Sequence, residues 1–342
     1  MHMKELPGTI NTVAELNEIL SRPSEALVEF MRELNGDVMV LGAGGKVGPT
    51  MVRRAQRAMD AAGTKKSVYA VDVAPLKELG TPVKTIVCDM MNLAEVEKLP
   101  QVENIVYMVG RKFGSTGAEH LTWAINVIVP YHVARTFTKS RIAVFSTGCV
   151  YPVMHVLTGG PTEDSPLGPI GEYTMSCLGR ERMFDYFSHT AGERVVQIRL
   201  NYALELRYGV LVDVAAKVFK GEPVDVTTGY ANGIWQGDAC DQILRSLAYA
   251  ASPSAVLNIT GPETFSIRQV ARDFGKLLGK EPVFVGQENG MAYLNNATQA
   301  NALLGNPSVP LGRVIEWVAH WIKIGGENLG KPTHFETQDG KY

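Results

Sequence analysis

The stretch from Val38 to Gly48, reading Val-Met-Val-Leu-Gly-Ala-Gly-Gly-Lys-Val-Gly, constrains this chain more than any other. A short apolar run rich in β-branched residues enters three glycines, Gly42, Gly45 and Gly48, and a helical pattern of Val52, Ala55, Ala58 and Met59 follows at once. The pattern predicts a strand, a tight turn and a helix. Each glycine has its own physical reason: one makes the turn, one lets backbone approach a pyrophosphate, and one lets the helix pack closely on the strand. Phosphates would then sit at the helix N-terminus, beside Lys46 and Val47. Taken alone, the three glycines are equally an ordinary turn. The next strand, Ser67 to Val73, ends near Asp72, about twenty residues further on, where an acid accepts from an adenosine ribose hydroxyl. Turn and acid together predict a dinucleotide.

The chain has 342 residues, 45% of them hydrophobic and 20% charged, enough for a large domain with an added lobe. A formal net charge of −2 with no Lys/Arg block gives nucleic acid or an anionic membrane little to hold. Cys88, Cys149, Cys177 and Cys240 have no paired spacing and no histidine cluster beside them, so neither a disulfide framework nor a metal site is expected. Met1 to Ile10 lacks an apolar signal core, and no run approaches eighteen apolar residues. The expected compartment is reducing and cytoplasmic.

In order, Thr12 to Asn35 reads as two short amphipathic helices broken at Pro23, packed on the chain's own core rather than on a partner. Strands are expected at Val83–Val87, Asn104–Val109, Arg141–Phe145 and Arg194–Leu200. Helices are expected at Ala118–Lys139, kinked at Pro130, and at Gly171–Thr190. Such alternation is the signature of an α/β fold with a doubly wound parallel sheet. His155 to Ile170, rich in Gly, Pro and Thr, reads as a long loop over the top of the sheet, where long loops are usually functional. Beyond Asn201 the pattern is mixed: helices at Val210–Lys220, Ala239–Ala250, Ile267–Leu278 and Leu311–Ile324, with strands near Val224 and at Val256–Ile259. The expected organisation is an N-terminal helical extension (1–35), a Rossmann domain (36–202) and a smaller C-terminal substrate lobe interleaved with the sheet (203–342).

Over residues 36 to 325 these motifs resemble the extended short-chain dehydrogenase/reductase family, the group of NAD-dependent nucleotide-sugar epimerases and dehydratases. Gly42, Gly45 and Gly48 match its Gly-x-x-Gly-x-x-Gly. Asp72 is similar to its ribose-binding acid, Asp89-Met90 to its adenine-binding pair, and Met108-Val109-Gly110 to the segment under the cofactor. Lys112 resembles a lysine placed beside the pyrophosphate and nicotinamide ribose. With Lys46, Val47, Asn126 and Tyr173, these are the cofactor contacts that the resemblance implies. Ser146-Thr147-Gly148-Cys149-Val150-Tyr151 looks like the Ser-Ser/Thr-x-x-Val-Tyr signature, making Thr147 the hydroxyl that holds the reacting oxygen, with Gly148 and Asn201 as further substrate contacts. Trp235 to Ala239 and Leu257 to Gly261 resemble two later family turns.

One position departs from the pattern. The family's catalytic helix begins Tyr-x-x-Ser-Lys with a Glu four residues after the lysine; Tyr173, Ser176 and Glu181 fall in place, but the lysine position holds Cys177. The family lysine favours the tyrosinate by proximity of charge. A tyrosine with the ordinary pKa near 10 is ionised in only about one molecule in a thousand at pH 7, a deficit of up to about 4 kcal/mol. Two cations are candidates to replace the lysine, Lys112 from a loop at the same end of the sheet and Arg180 two turns along the Tyr173 face. Lys112, with Arg111 beside it, is the better replacement, while Arg180 reads as a solvated helix charge.

Cys177 reads as a small packing residue unless a cation lowers its pKa. His155 and His120 read as solvated, and Trp123, Trp235, Trp317 and Trp321 as core or lobe packing. Tyr151 would lie near the nicotinamide by resemblance, though burial alone also explains it.

Two functions follow from this reading. One is an NAD-dependent epimerase, dehydratase or dehydrogenase acting on a sugar or nucleotide sugar by hydride transfer at a carbinol carbon, with Tyr173, Thr147 and Cys177 at the catalytic positions. The other is a non-catalytic or weakly catalytic NAD-binding sensor or interaction protein with a degenerate site. NAD is expected over NADP because Asp72 would repel a 2′-phosphate, Lys77 being a minor competing feature. The resemblance also implies a homodimer paired through the helices at 118–139 and 171–190.

Overall fold

The computed structural model describes residues 6–76, 79, 82–112, 114–331, 333–337 and 340; Lys77 lies outside them. Two capped helices come first: α1 (Val13–Ser21), whose Thr12 hydroxyl accepts from Glu15 N–H, and α2 (Glu25–Glu33), whose Ser24 hydroxyl accepts from Leu27 N–H. Both are part of the core. Leu16, Ile19 and Leu20 pack with Trp235, Trp317 and Trp321 of the C-terminal lobe, while Leu27, Met31 and Leu34 pack under the sheet.

The strands β1 (Val38–Leu41), β2 (Val68–Asp72), β3 (Lys84–Val87), β4 (Asn104–Tyr107) and β5 (Arg141–Thr147) form one parallel sheet with the strands Arg194–Leu200 and Ala255–Ile259. From one edge the order is β3-β2-β1-β4-β5, then 194–200, then 255–259. Alternation along β1 explains the two layers. Val38 and Val40 face one cluster with Met51 and Ala55 of α3 (Gly48–Ala61), whereas Met39 and Leu41 face the other with Val133 and Phe184. Both faces are therefore covered, and the fold is a doubly wound Rossmann sheet. The last strand, Ala255–Ile259, is contributed from beyond residue 202 and pairs parallel with 194–200.

After the one-turn helix α4 (Leu93–Val96), the long helical run is broken in kind rather than in path. It comprises α5 (Glu119–Trp123), a π-helical turn at Ala124–Ile128 and α6 (Val129–Thr136). Pro130 has no N–H for the carbonyl one turn back, and the wide turn falls immediately before it. The catalytic-type helix is α7 (Glu172–Ala191). His155 to Ile170 is not loop throughout: Met154–His155 pairs antiparallel with Met291–Ala292, and a 3-10 turn follows at Val156–Thr158. Among the described residues, no helix is long and apolar enough to cross a membrane.

Candidate active site

A parallel sheet brings every strand's carboxyl end to one side, and there the sequence-predicted residues are placed. Gly42 follows β1 with φ +85°, and a Cβ on it would stand 2.9 Å from the Val109 amide nitrogen. At Gly48 a Cβ would meet the Ala43 carbonyl oxygen at 2.2 Å, so that glycine lets the start of α3 close against the turn. Gly45 differs: the nearest atom to its Cβ position is the Gly42 carbonyl at 3.6 Å, which leaves that side open. Val47 caps α3 without any side-chain hydrogen bond to the free amides. Asp72, at the tip of β2, accepts from Gly44 N–H at 2.7 Å. An open glycine, an uncapped helix start and a carboxylate one strand away fit a dinucleotide's phosphates and ribose.

Further along the same edge, Asp89 is exposed and holds Met91 N–H at 3.0 Å, while Met90 is buried with its carbonyl 2.9 Å from His132 Nδ1. Met108, Val109 and Gly110 continue β4 into the loop. Asn126, on the π-helical turn, clamps that loop: its Oδ1 accepts Arg111 N–H at 2.9 Å and its Nδ2 donates to the Arg111 carbonyl at 3.0 Å and to Ser176 Oγ at 2.9 Å. The same Oδ1 accepts from Arg180 at 2.8 Å. Arg180 is therefore not the solvated helix charge the sequence suggested. It is buried, donates to the Phe145 carbonyl at 2.7 Å, and lies where a Cβ on Gly110 would be only 2.4 Å from it. Its position on the inner face of α7, toward Gly110 seventy residues earlier, left no local signal in the sequence.

Thr147 ends β5, nearly buried, and its hydroxyl oxygen accepts Cys149 N–H at 3.2 Å. Gly148 packs against Asn295, whose Oδ1 would be 2.3 Å from a Cβ there. Tyr173 lies in the first turn of α7, and its phenol hydrogen-bonds the Cys177 thiol. Cys177 is fully buried with Val150 and Tyr151, as a packing residue would be. Burial, then the Cys177 and Cys149 thiols, push the Tyr173 pKa well above its ordinary value, and Arg180 pulls the other way. Burial likewise raises the Cys177 thiol. Lys112 Nζ is 5.9 Å from the Tyr173 ring centre, with its pKa lowered by burial. Tyr173 also lines a cavity of about 250 Å³ with Ser115, Thr116, Glu119 and Glu172.

Behind the site runs a buried polar network that the sequence did not announce. Ser146 Oγ donates to Glu181, which is paired with Arg199 at 2.9 Å; Arg199 donates to the Tyr151 hydroxyl at 2.8 Å, and that hydroxyl donates to Asn258 at 2.9 Å. Tyr151 is thus held by this network. Asn201 belongs to an adjoining set, its Nδ2 donating to Asn232 Oδ1 at 2.7 Å and to the Tyr293 carbonyl at 3.3 Å. Trp123 is a correction too: it is partly exposed, with its indole N–H on Glu172, whereas Trp235, Trp317 and Trp321 are core. His120 and His155 are exposed as expected. Among the described residues, no group of three or more His, Cys, Asp or Glu side chains is placed to hold a metal.

Residues 38–204 match the NAD dependent epimerase/dehydratase family. No curated protein matches the chain. Solved structures of the same fold include MoeE5 in complex with UDP-glucose and NAD, 20% identical at a TM-score of 0.69, over 84% of this chain and 99% of that one. The UDP-glucuronic acid 4-epimerase of Bacillus cereus in complex with NAD is 17% identical at a TM-score of 0.69, over 84% and 96%. DesIV, the dTDP-glucose 4,6-dehydratase of Streptomyces venezuelae with NAD and TYD bound, is 17% identical at a TM-score of 0.71, over 84% and 97%. At these identities the likeness is one of fold.

Proposed function

We propose that this chain, whose residues 38–204 carry the NAD dependent epimerase/dehydratase module, is an NAD-dependent enzyme acting on a sugar or nucleotide sugar at a carbinol carbon. The observation that carries the reading is the open, uncapped glycine turn with Asp72 at the carboxyl ends of the strands, the side on which β5 ends in Thr147, with Tyr173 in the first turn of α7 and its ring 5.9 Å from Lys112 Nζ. Asp72 and the α3 amides would hold the dinucleotide, with Lys46, Val47, Asp89, Met90, the 108–110 segment, Lys112 and Asn126 along its length. The cofactor supplies hydride exchange with the carbinol carbon. Thr147 would fix the substrate oxygen, with Gly148 and Asn201 near it, and Tyr173 would move the proton on that oxygen.

Because burial and two thiols keep the phenol protonated, Tyr173 is suited to donate a proton to a carbonyl oxygen as hydride arrives. The reverse step needs the tyrosinate, so carbinol oxidation should keep rising with pH, beyond about pH 10, rather than level near neutrality. A second reading, a cofactor-binding protein with little turnover, is favoured by one observation: a thiol stands at the lysine position and hydrogen-bonds the phenol.

One experiment separates them. Purified protein titrated with NAD and then given a panel of nucleotide sugars should turn over, and Tyr173→Phe should lose at least a hundredfold in rate while still binding NAD. NAD binding without turnover of any sugar would favour the second reading. Absence of NAD binding would remove both.

A further inference from the structure

The chain's last segment returns across the smaller lobe to the start of the catalytic-type helix. After the helix Leu311–Lys323, the Trp321 indole donates to the Glu327 carbonyl at 2.9 Å, and Leu329 N–H donates to the Arg207 carbonyl at 3.0 Å. Thr333 then gives both its N–H, at 2.8 Å, and its hydroxyl, at 2.6 Å, to one carboxylate oxygen of Asp213 on the helix Val210–Lys220. Phe335 is buried in the lobe's core cluster, and the Glu336 carbonyl accepts from the Thr228 hydroxyl at 3.0 Å. A buried ring and these hydrogen bonds fasten residues 333–336 to the lobe.

Beyond that anchorage, Gly340 sits on the other half of the molecule. A Cβ on Gly340 would stand 2.2 Å from the Ile170 carbonyl oxygen, and one on Gly171 would stand 2.4 Å from the Gly340 carbonyl oxygen. Backbone meets backbone here, with no room for a side chain on either glycine, and both have positive φ, +75° and +84°. Gly171 is the N-cap of α7, two residues before Tyr173. Both glycines line the cavity of about 250 Å³ together with Tyr173 and with Ser115 from the loop after β4. One wall of that cavity therefore comes from a segment fixed to the lobe. Among the described residues, no backbone hydrogen bond ties Gly340 to α7, so the seat is held more weakly than the anchorage.

We propose that the C-terminal segment is a hinged wall of the substrate site. Its anchorage on the lobe stays in place, while the Gly340 seat on α7 opens to admit the sugar and closes beside Tyr173, and the closed wall restricts which sugars fit. The cavity is the substrate's only under the function proposed above, on which this inference rests.

Two variants unseat the wall and spare its anchorage. Gly340→Val forces a branched side chain onto the Ile170 carbonyl, and truncation after Thr337 removes the seated residue while keeping Thr333, Phe335 and Glu336. Access is read on a Ser115→Cys background, because Ser115 is buried, lines the cavity and gives its hydroxyl to the Lys112 carbonyl at 2.6 Å. Iodoacetamide should label the introduced thiol about tenfold faster with either variant than with the native segment, mass spectrometry separating it from Cys149. Equal rates in all three proteins would overturn the proposal. Without Ser115→Cys, hydrogen exchange gives a second reading. The first amides of α7, at Glu172 and Tyr173, have no partner within the helix, so their exchange should rise about tenfold once Gly340 leaves. Unchanged exchange would show that Gly340 covers nothing, and the wall fails.

Substrate range is the third reading. With NAD bound, the kcat/KM preference between UDP-glucose and UDP-N-acetylglucosamine should shrink toward unity by about fivefold in Gly340→Val. A preference left unchanged while the introduced thiol becomes reactive would mean that the sugar does not use this cavity, which overturns the specificity role. NAD binding with no sugar turned over by wild type would instead overturn the function proposed above, and labelling and exchange would still decide whether the segment closes the cavity.

Discussion

A thiol in place of an ammonium alters what the neighbouring phenol can do, and it also alters what the space will accept. Cys177 is fully buried against Val150 and Tyr151, with the Arg180 charge nearby. Restoring lysine there inserts three further side-chain atoms and a second cation into filled space. Cys177→Lys should therefore cost stability, by about 1–3 kcal/mol for overpacking alone, whereas Cys177→Ala should cost less. Urea denaturation of the two variants checks the order, and a Cys177→Lys protein as stable as wild type would show that the helix still has room for the lysine. A second residue gives a prediction with a pH sign. Glu193 is fully buried, neither carboxyl oxygen has a hydrogen-bond partner among the described residues, and burial pushes its pKa up to about 9. A folded pKa above the unfolded one favours the fold below the unfolded value and loses that advantage as pH rises toward the folded value. At pH 7 the native state must hold a proton that the unfolded chain has released, an unfavourable contribution of the order of 3 kcal/mol. Glu193→Gln should thus be the more stable protein at pH 7, by an amount that shrinks toward zero near pH 4.

At the scale of elements, what the sequence disclosed was what lies within one element or its immediate neighbour. The glycine turn and the strand and helix alternation depend on local backbone needs, and they lie where the spacing put them. Helix ends drifted by a few residues, as with Ala239–Ala250 against Gln236–Ser246, because neighbouring contacts decide the last turn. What could not be read were side chains whose partners come from distant segments: Arg180 with Asn126, Lys46 with Ala203, and the Glu181–Arg199–Tyr151–Asn258 chain. The same limit hid how the first two helices are fastened. Arg54 of α3 pairs with Asp241 of the helix Gln236–Ser246 at 3.0 Å and donates to the Leu20 carbonyl of α1, while Ser24, the α2 cap, donates to the same aspartate. Burial opposes the Asp241 charge, but Arg54 and Arg245 outweigh it and hold its pKa below the usual value. Asp241→Asn would leave the Arg54 guanidinium buried without a counter-charge and should cost about 3 kcal/mol at pH 7. A depressed carboxylate pKa stabilises above the unfolded value and is lost as pH falls through the folded one. The gap between wild type and Asp241→Asn in urea should therefore narrow in acid, and a gap constant from pH 7 to pH 3 would argue against this role for the pair.

For the whole molecule, the remaining question is what covers the outer side of the helices next to the site. Large apolar side chains stay exposed there: Leu121, Ile128 and Tyr131 on the α5–α6 run, and Met175 and Tyr186 on α7. Tyr131 and Tyr186 both pack on Phe187, with ring centres 5.6 and 5.3 Å away, so the two helices present one aromatic ridge. Water contact with such a surface is unfavourable, and α5, α6 and α7 are packed side by side, so a second copy turned through a two-fold axis would set helix pair on helix pair. We propose that the protein is a homodimer through this face. A stable interface of this kind buries about 800 Å² on each partner, within reach of two helices of these lengths. Placing charges at its centre should break it without touching the polar network behind the site: Tyr131→Lys with Tyr186→Lys should convert a dimer into a monomer in light scattering at micromolar concentration, while circular dichroism keeps its helical content. Because Tyr173 begins the helix that bears Tyr186, the monomer should also bind NAD more weakly if pairing steadies α7, and with equal strength if it does not. A wild-type protein that scatters as a monomer would refute the pairing, and a double variant that remains dimeric would move the interface elsewhere.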